Sequence, residues 1–138
     1  MIHTTHTIRV RYAETDPMKY VYYGNYATYF EVARVELFRE LGMPYDEIEE
    51  RGIWLPVSEF SIKYLKPALY DENLEIHTFI RKIPGVKIEF EYEIYNPSKQ
   101  KITEAKTTLF FLDSKTNKVI KCPEFLMNLI EKNWQENL

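Results

Sequence analysis

The sequence predicts an α+β domain in which one long helix is followed by an antiparallel sheet. Two patterns carry this. Between residues 24 and 41 apolar side chains recur at helical spacing, and from residue 53 onward they recur every second residue. Helix and strands segregated in this order fold as α+β, and a sheet with one apolar face needs a cover, which the long helix supplies. The 138 residues suit a single domain spanning 1–138. A chain of this size buries roughly two thirds of the surface it exposes when unfolded.

Residues 5–12 read as a first strand, with β-branched residues and alternation at Ile8 and Val10. Residues 13–23 read as a loop, because Pro17 has no place in a helix interior. Gly24 or Asn25 opens the helix, and Tyr26, Tyr29, Phe30, Ala33, Leu37 and Leu41 form its apolar stripe. Gly42 stands where a C-terminal capping glycine belongs, and residues 44–51 can add a short helical turn. Residues 53–65 have β character and end at Pro67; residues 73–82 alternate, with Leu74, Ile76 and Ile80 on one side. Pro84-Gly85 marks a turn. The clearest strand is 86–95, where Val86, Ile88, Phe90, Tyr92 and Ile94 oppose Lys87, Glu89, Glu91 and Glu93. A turn at Asn96-Pro97-Ser98 leads to a long strand over 102–112 and a short one over 119–121. Pro123 then opens a final helix through Trp134.

Composition narrows the function. A net charge of −3 argues against general nucleic-acid binding, which leaves a basic footprint. Cys122 is the one cysteine, so no internal disulfide forms and a reducing, cytoplasmic setting is expected. Residues 1–11 are polar and unlike a signal peptide. No apolar run approaches the ~20 residues that cross a bilayer. His3 and His6 lie near a polar terminus, where loose or surface placement is expected, and His77 reads as a surface or interface residue. No His/Cys/Asp spacing suggests a metal, and none of the 4 glycines falls in a phosphate-loop or dinucleotide pattern. Neither a metal nor a bound cofactor is expected. Aromatic residues are abundant, 11 Tyr and 8 Phe, which suits a large subunit interface or an apolar ligand channel.

The chemistry concentrates in residues 11–26. Asp16 sits in a loop just before the start of the longest helix. A helix start presents unpaired N–H groups and a partial positive charge, which can hold a carbonyl oxygen that becomes negative during reaction. A carboxylate beside it can act as base or nucleophile on the same carbonyl carbon. An Asp before Pro is also common in turns and caps, so spacing alone leaves that plainer role open.

The same stretch resembles the signature of the 4-hydroxybenzoyl-CoA thioesterase family, including its Tol-Pal-associated acyl-CoA thioesterase branch. Arg11, Tyr12, Thr15, Asp16, Val21, Tyr22, Asn25, Tyr26, Phe30, Glu31 and Arg34 match that signature. So do the run from Ser61 to Ala68, Tyr70-Asp71, and Pro123. The resemblance implies a hotdog fold, an antiparallel sheet wrapped around one long central helix. It implies hydrolysis of acyl-CoA, with Asp16 as the catalytic carboxylate and the backbone N–H of Tyr23, beside Gly24, polarising the thioester carbonyl. It also implies a homodimer or a dimer-of-dimers tetramer, with coenzyme A bound as part of the substrate on the surface between subunits. Two positions depart from the family pattern: Lys19 replaces a frequent Gly, and Tyr23 a frequent His. Lysine takes φ > 0 less easily than glycine, so a changed loop is expected; Lys19 could also favour the charged form of Asp16 or touch a CoA phosphate.

The acyl group is expected against aromatic side chains, with Tyr22, Tyr26, Trp54 and Phe60 as candidates, and Asn25 is a further substrate-binding candidate. Basic residues should rim the CoA channel, and Lys63, Lys66, Arg81, Lys82 and Lys87 are the candidates. Some hotdog thioesterases carry their carboxylate on the central helix, which makes Glu31 a rival to Asp16. Glu31 lies eight residues after Tyr23, about 12 Å along the axis, so a structural pairing with Arg34 is expected instead. Cys122 reads as structural. Two other classes stay open. A hotdog dehydratase usually pairs a His with a carboxylate, and residues 11–26 contain no His. A non-catalytic acyl-CoA-binding protein would hold the thioester without releasing CoA.

Overall fold

The computed structural model describes residues 1–135. Its elements run β1 (Ile2–Arg9), α1 (Tyr26–Leu41), α2 (Tyr45–Glu50), β2 (Ile53–Trp54), β3 (Val57–Tyr64), β4 (Asn73–Ile80), β5 (Lys87–Tyr95), β6 (Lys101–Asp113), β7 (Lys118–Ile120) and α3 (Glu124–Lys132). Short 3₁₀ turns at Tyr12–Glu14 and Tyr23–Asn25 punctuate the connection from β1 to α1.

The helical stripe read from the sequence buries Tyr26, Tyr29, Phe30, Ala33 and Leu37, and Phe38 joins them. Full burial of a side chain such as Phe30 or Leu37 contributes about 1.5–3 kcal/mol. The helix ends because Gly42 adopts φ 102°, which lets its N–H reach Arg39 O (3.1 Å) and the Met43 N–H reach Phe38 O (3.0 Å).

The sheet is antiparallel throughout. Its body runs β1-β4-β5-β6-β3, and β2 and β7 flank the far end of β6. Alternation puts Ile88, Phe90, Tyr92 and Ile94 of β5 inside and its charged residues outside. Phe30 packs on Tyr92 at 4.4 Å and Phe38 meets Phe90 edge-on at 6.0 Å, so α1 lies in the curl of the sheet. A curled antiparallel sheet around a long helix is the hotdog architecture. A short polar chain crosses this packing: Arg34 Nη1 donates to the Tyr92 hydroxyl (3.0 Å), which lies 2.6 Å from Thr107 Oγ1. This is where Arg34 goes, rather than to Glu31, which has no ion-pair partner among the described residues.

Boundaries differ in places. The first strand is Ile2–Arg9, earlier than expected, because Ile2 and Thr4 point inward and pair with Ile80 and Thr78 of β4. The expected strand over 53–65 divides into β2 and β3 at Leu55-Pro56, and Val86 stands exposed just before β5. The N-terminus is therefore a paired edge strand, not a loose end. His3 stacks on Phe79 (4.4 Å), and its Nε2 lies 2.7 Å from His77 Nδ1; His77 Nε2 in turn lies 2.6 Å from Glu75 Oε1.

His77 can donate Nε2–H to Glu75 and accept from His3 Nε2–H at Nδ1, which links the three side chains in one row. Burial, and then the neighbouring His77, hold His3 below the usual imidazole range; Arg81 acts with them, against Glu93 and Glu40. A base whose folded pKa is depressed contributes stability above its ordinary value and loses that contribution as pH falls below it. Lowering pH from about 7.5 to about 5.5, a window spanning the free imidazole value, is therefore expected to lower the wild-type Tm more than that of His3→Gln. Equal losses in a thermal melt would contradict the His3–His77 account.

Candidate active site

The loop between β1 and α1 is held against the segment that follows β3. Val10 N–H donates to Glu72 O (2.9 Å), Asp71 N–H to Val10 O (3.1 Å), Val21 N–H to Ala68 O (2.8 Å) and Tyr70 N–H to Lys19 O (3.0 Å). Within this frame Asp16 organises a tight turn. Its N–H donates to Tyr20 O (2.8 Å), its carbonyl accepts from Lys19 N–H (2.9 Å), and its Oδ1 accepts from the N–H groups of Met18 (2.9 Å) and Tyr20 (3.2 Å). One carboxylate oxygen is thereby oriented by the loop. Among the described residues no donor reaches Oδ2.

Asp16 borders a cleft of about 600 Å³. Tyr22, Tyr23 and Tyr26 from the helix start share the cleft with it, and Tyr64, Leu65 and Lys66 form the opposite side. The 3₁₀ turn Tyr23–Asn25 runs directly into α1. Its first closed hydrogen bond is Asn25 N–H to Tyr22 O (2.9 Å). The Tyr23 and Gly24 amides precede that bond and have no intrahelical acceptor, as at any helix start. Gly24 leaves room for the Tyr22 ring rather than serving φ: a Cβ there would lie 2.8 Å from Tyr22 Cε2 and the half-exposed ring would have to shift. The Tyr22 ring is thus free to lean toward the helix start and pack on Tyr23 at 4.7 Å. Across the cleft Tyr64 meets Tyr26 edge-on at 5.1 Å and donates its hydroxyl to Tyr23 O (3.2 Å).

Of the residues singled out from the sequence, the structure gathers Asp16, Tyr22, Tyr23, Tyr26 and Lys66 around this cleft, with Gly24 in the turn at its edge. Asn25 turns away, its Nδ2 donating to Glu14 O (2.9 Å). Trp54 stands on β2, paired with Leu112, outside the cleft. Phe60 borders a separate cavity of about 250 Å³ with Glu31 and Arg34. Lys63 faces a shallow depression on the outer sheet surface beside Glu91 and Glu104. Arg81 and Lys82 are engaged across the strands, with Glu91 (3.1 Å) and Glu89 (3.4 Å), and Lys87 lies over the Phe110 ring at 5.4 Å. The sequence reading passed over Tyr64 and Glu14. Tyr64 was within reach of it, since Phe60 and Tyr64 are four apart on one strand and share a face.

Lys19 adopts φ 65°, a left-handed conformation that glycine takes more readily than lysine. Its Nζ sits 5.4 Å from the Tyr12 ring centre and 5.8 Å from that of Tyr70, and it makes no ion pair with Asp16 among the described residues.

The fold and the cleft together define a hotdog protein in which a carboxylate and residues of the helix start line one cleft. The chain belongs to the thioesterase-like superfamily, whose family model matches residues 10–130. It is 39% identical over 114 residues to the Bacillus subtilis protein named "Putative acyl-CoA thioesterase YneP", covering 83% of each chain. It is 28% identical over 106 residues to the Escherichia coli acyl-CoA thioester hydrolase YbgC, covering 77% of this chain and 79% of that one. The crystal structure of a DHNA-CoA thioesterase from Staphylococcus aureus superposes with a TM-score of 0.89 at 34% identity, covering 96% of this chain and 91% of that one.

The backbone at Lys19 can be tested directly. A β-branched residue tolerates φ > 0 poorly, so Lys19→Val is expected to destabilise the fold by about 1–2 kcal/mol. Lys19→Gly relieves the strain but loses the aromatic contact and adds unfolded-state entropy, each about 0.5–1 kcal/mol, and should stay near wild type. Urea unfolding of the two variants measures this, and equal stabilities would contradict it.

Proposed function

We propose that the protein hydrolyses acyl-CoA thioesters to a free acid and coenzyme A, within the 4-hydroxybenzoyl-CoA thioesterase family and its Tol-Pal-associated branch. One observation carries the reading: Asp16 and Tyr23, the first residue of the turn that leads into α1, border the same aromatic cleft. The thioester oxygen docks on the Tyr23 N–H, where α1 favours the negative charge that develops on it. Asp16 then acts on the carbonyl carbon. Either its carboxylate attacks and water hydrolyses the resulting anhydride, or it takes a proton from the water that attacks. Both routes break the C–S bond and release the CoA thiolate; the Tyr23 amide holds the carbonyl oxygen in both, while Asp16 is the nucleophile in the first and the base in the second. The tyrosine-lined walls suit an apolar or aromatic acyl group, and Lys66 is the basic residue at the cleft that can meet a CoA phosphate. Neither a metal nor a separate cofactor enters this scheme. The histidines on which a dehydratase reading would rest, His3, His6 and His77, lie on β1 and β4 and not at the cleft.

The site is proposed to be completed by a second copy. Among the described residues strand β3 pairs only with β6, and its free edge carries Val57, Phe60 and Tyr64, which are 49%, 42% and 46% exposed. An open, apolar edge is a template for pairing. Joining two β3 edges would extend the sheet and close the cleft beside Tyr64 and Leu65. Association of such dimers into tetramers and a cytoplasmic location complete the proposal. No helix among the described residues is long and apolar enough to cross a membrane.

Asp16→Asn keeps an oxygen for the Met18 and Tyr20 amides, so the fold should survive. Its kcat is expected to drop on the order of 10²–10⁴-fold in a CoA-thiol release assay. Burial pushes the Cys122 thiol up to about 12, so the protein adds little background near neutral pH. Turnover close to wild type would refute the role of Asp16. Sedimentation should give a dimer or larger at micromolar concentration, and a monomer would contradict the shared cleft.

A further inference from the structure

We propose that Glu14 is a positioning residue that fixes the separation between Asp16 and the Tyr23 amide; this rests on the thioesterase reading above. Glu14 lies two residues before Asp16, and its side chain is only 13% exposed. Both of its ends are engaged. The carbonyl oxygen accepts from Tyr22 N–H (2.9 Å) and Asn25 Nδ2 (2.9 Å), the residues on either side of the Tyr23-Gly24 amides. The carboxylate Oε1 accepts from Arg11 N–H (2.8 Å) and from the hydroxyl of Tyr29 (2.9 Å), one turn into α1. Oε2 takes the Arg11 guanidinium, at 3.3 Å from Nε and 3.2 Å from Nη2.

One residue thus grips the helix at its mouth and again one turn inside it, while the adjoining Thr15 pairs with Val21 across the turn that holds Asp16. The anchor is well placed to be rigid. The Tyr29 ring is buried, and burial together with the Glu14 carboxylate raises the pKa of its hydroxyl, so it stays a proton donor. A buried hydroxyl left without an acceptor is costly, which holds the Tyr29–Glu14 bond in place. The Arg11 ion pair matters less, because Arg11 is 76% exposed and such pairs contribute little. A shift of about 1 Å between reacting groups can cost on the order of 10²-fold in rate. Glu14 acts at that level without touching the substrate.

Three substitutions test this alongside Asp16→Asn. Tyr29→Phe keeps the ring and removes one hydrogen bond. Glu14→Ala removes the carboxylate. Glu14→Gln keeps an oxygen for Arg11 N–H and Tyr29. Tyr29→Phe and Glu14→Ala are expected to lower kcat by roughly 10–100-fold with KM within about threefold, and Glu14→Gln to restore kcat to within about threefold of wild type. A folded Tyr29→Phe with unchanged kcat overturns the proposal, even if Glu14→Ala fails to fold. So does a Glu14→Gln no better than Glu14→Ala. If Asp16→Asn is inactive while the Tyr29 and Glu14 variants turn over normally, the positioning role fails and the thioesterase reading stands. If the wild type releases no thiol from any acyl-CoA, both fall.

Discussion

Everything at the cleft depends on where α1 begins, and that is decided by packing far from the cleft. Phe30, Ala33, Leu37 and Phe38 fill the curl formed by β4, β5 and β6, and Gly42 caps the far end. With several side chains each contributing about 1.5–3 kcal/mol, the helix cannot slide or rotate without emptying the core. The Arg34–Tyr92–Thr107 chain adds a directional constraint that apolar contacts lack. The helix start is therefore a fixed point, and the loop bearing Asp16 must be brought to it. Backbone pairing to residues 68–72 and the two-ended grip of Glu14 do this.

The same geometry accounts for two features that look anomalous in isolation. A lysine at φ 65° is strained, yet it is held there by Tyr70 N–H on its carbonyl and by the Tyr12 and Tyr70 rings, which pack on each other at 5.6 Å and both lie near its ammonium. Strain of this kind persists where surrounding contacts over-determine the backbone. Exposed aromatic residues, Tyr22 and Tyr23 among them, cluster at the cleft and beside the free edge of β3. Large exposed rings gathered in one region mark a surface that something covers. A bound acyl group and a second copy of the chain would cover different parts of it.

Much of this architecture was legible because burial writes a period into the sequence. The stripe of α1 and the alternation of β5 could be read directly. β1 was misplaced because its inward residues include Thr4, whose hydroxyl hides the pattern. Asp16 and the helix start stood out as a carboxylate beside a capping position. The basic residues were harder. Arg81 and Lys82 look free along the chain, and only the register that brings β4 and β5 together shows their glutamate partners. Glu14 left no sequence signal beyond a turn-like spacing to Arg11; its bond to Tyr29, fifteen residues on, exists only in three dimensions.

The central claim is that the thioester carbonyl rests on the start of α1 while Asp16 faces its carbon. A crystal structure of the inactive Asp16→Asn protein bound to an acyl-CoA in which CH₂ replaces the thioester sulfur would test this most directly. The account predicts the carbonyl oxygen at roughly 3 Å from the Tyr23 nitrogen, with the Asn side chain at position 16 against the carbonyl carbon. A carbonyl bound elsewhere, for instance in the cavity beside Glu31 and Phe60, would contradict it.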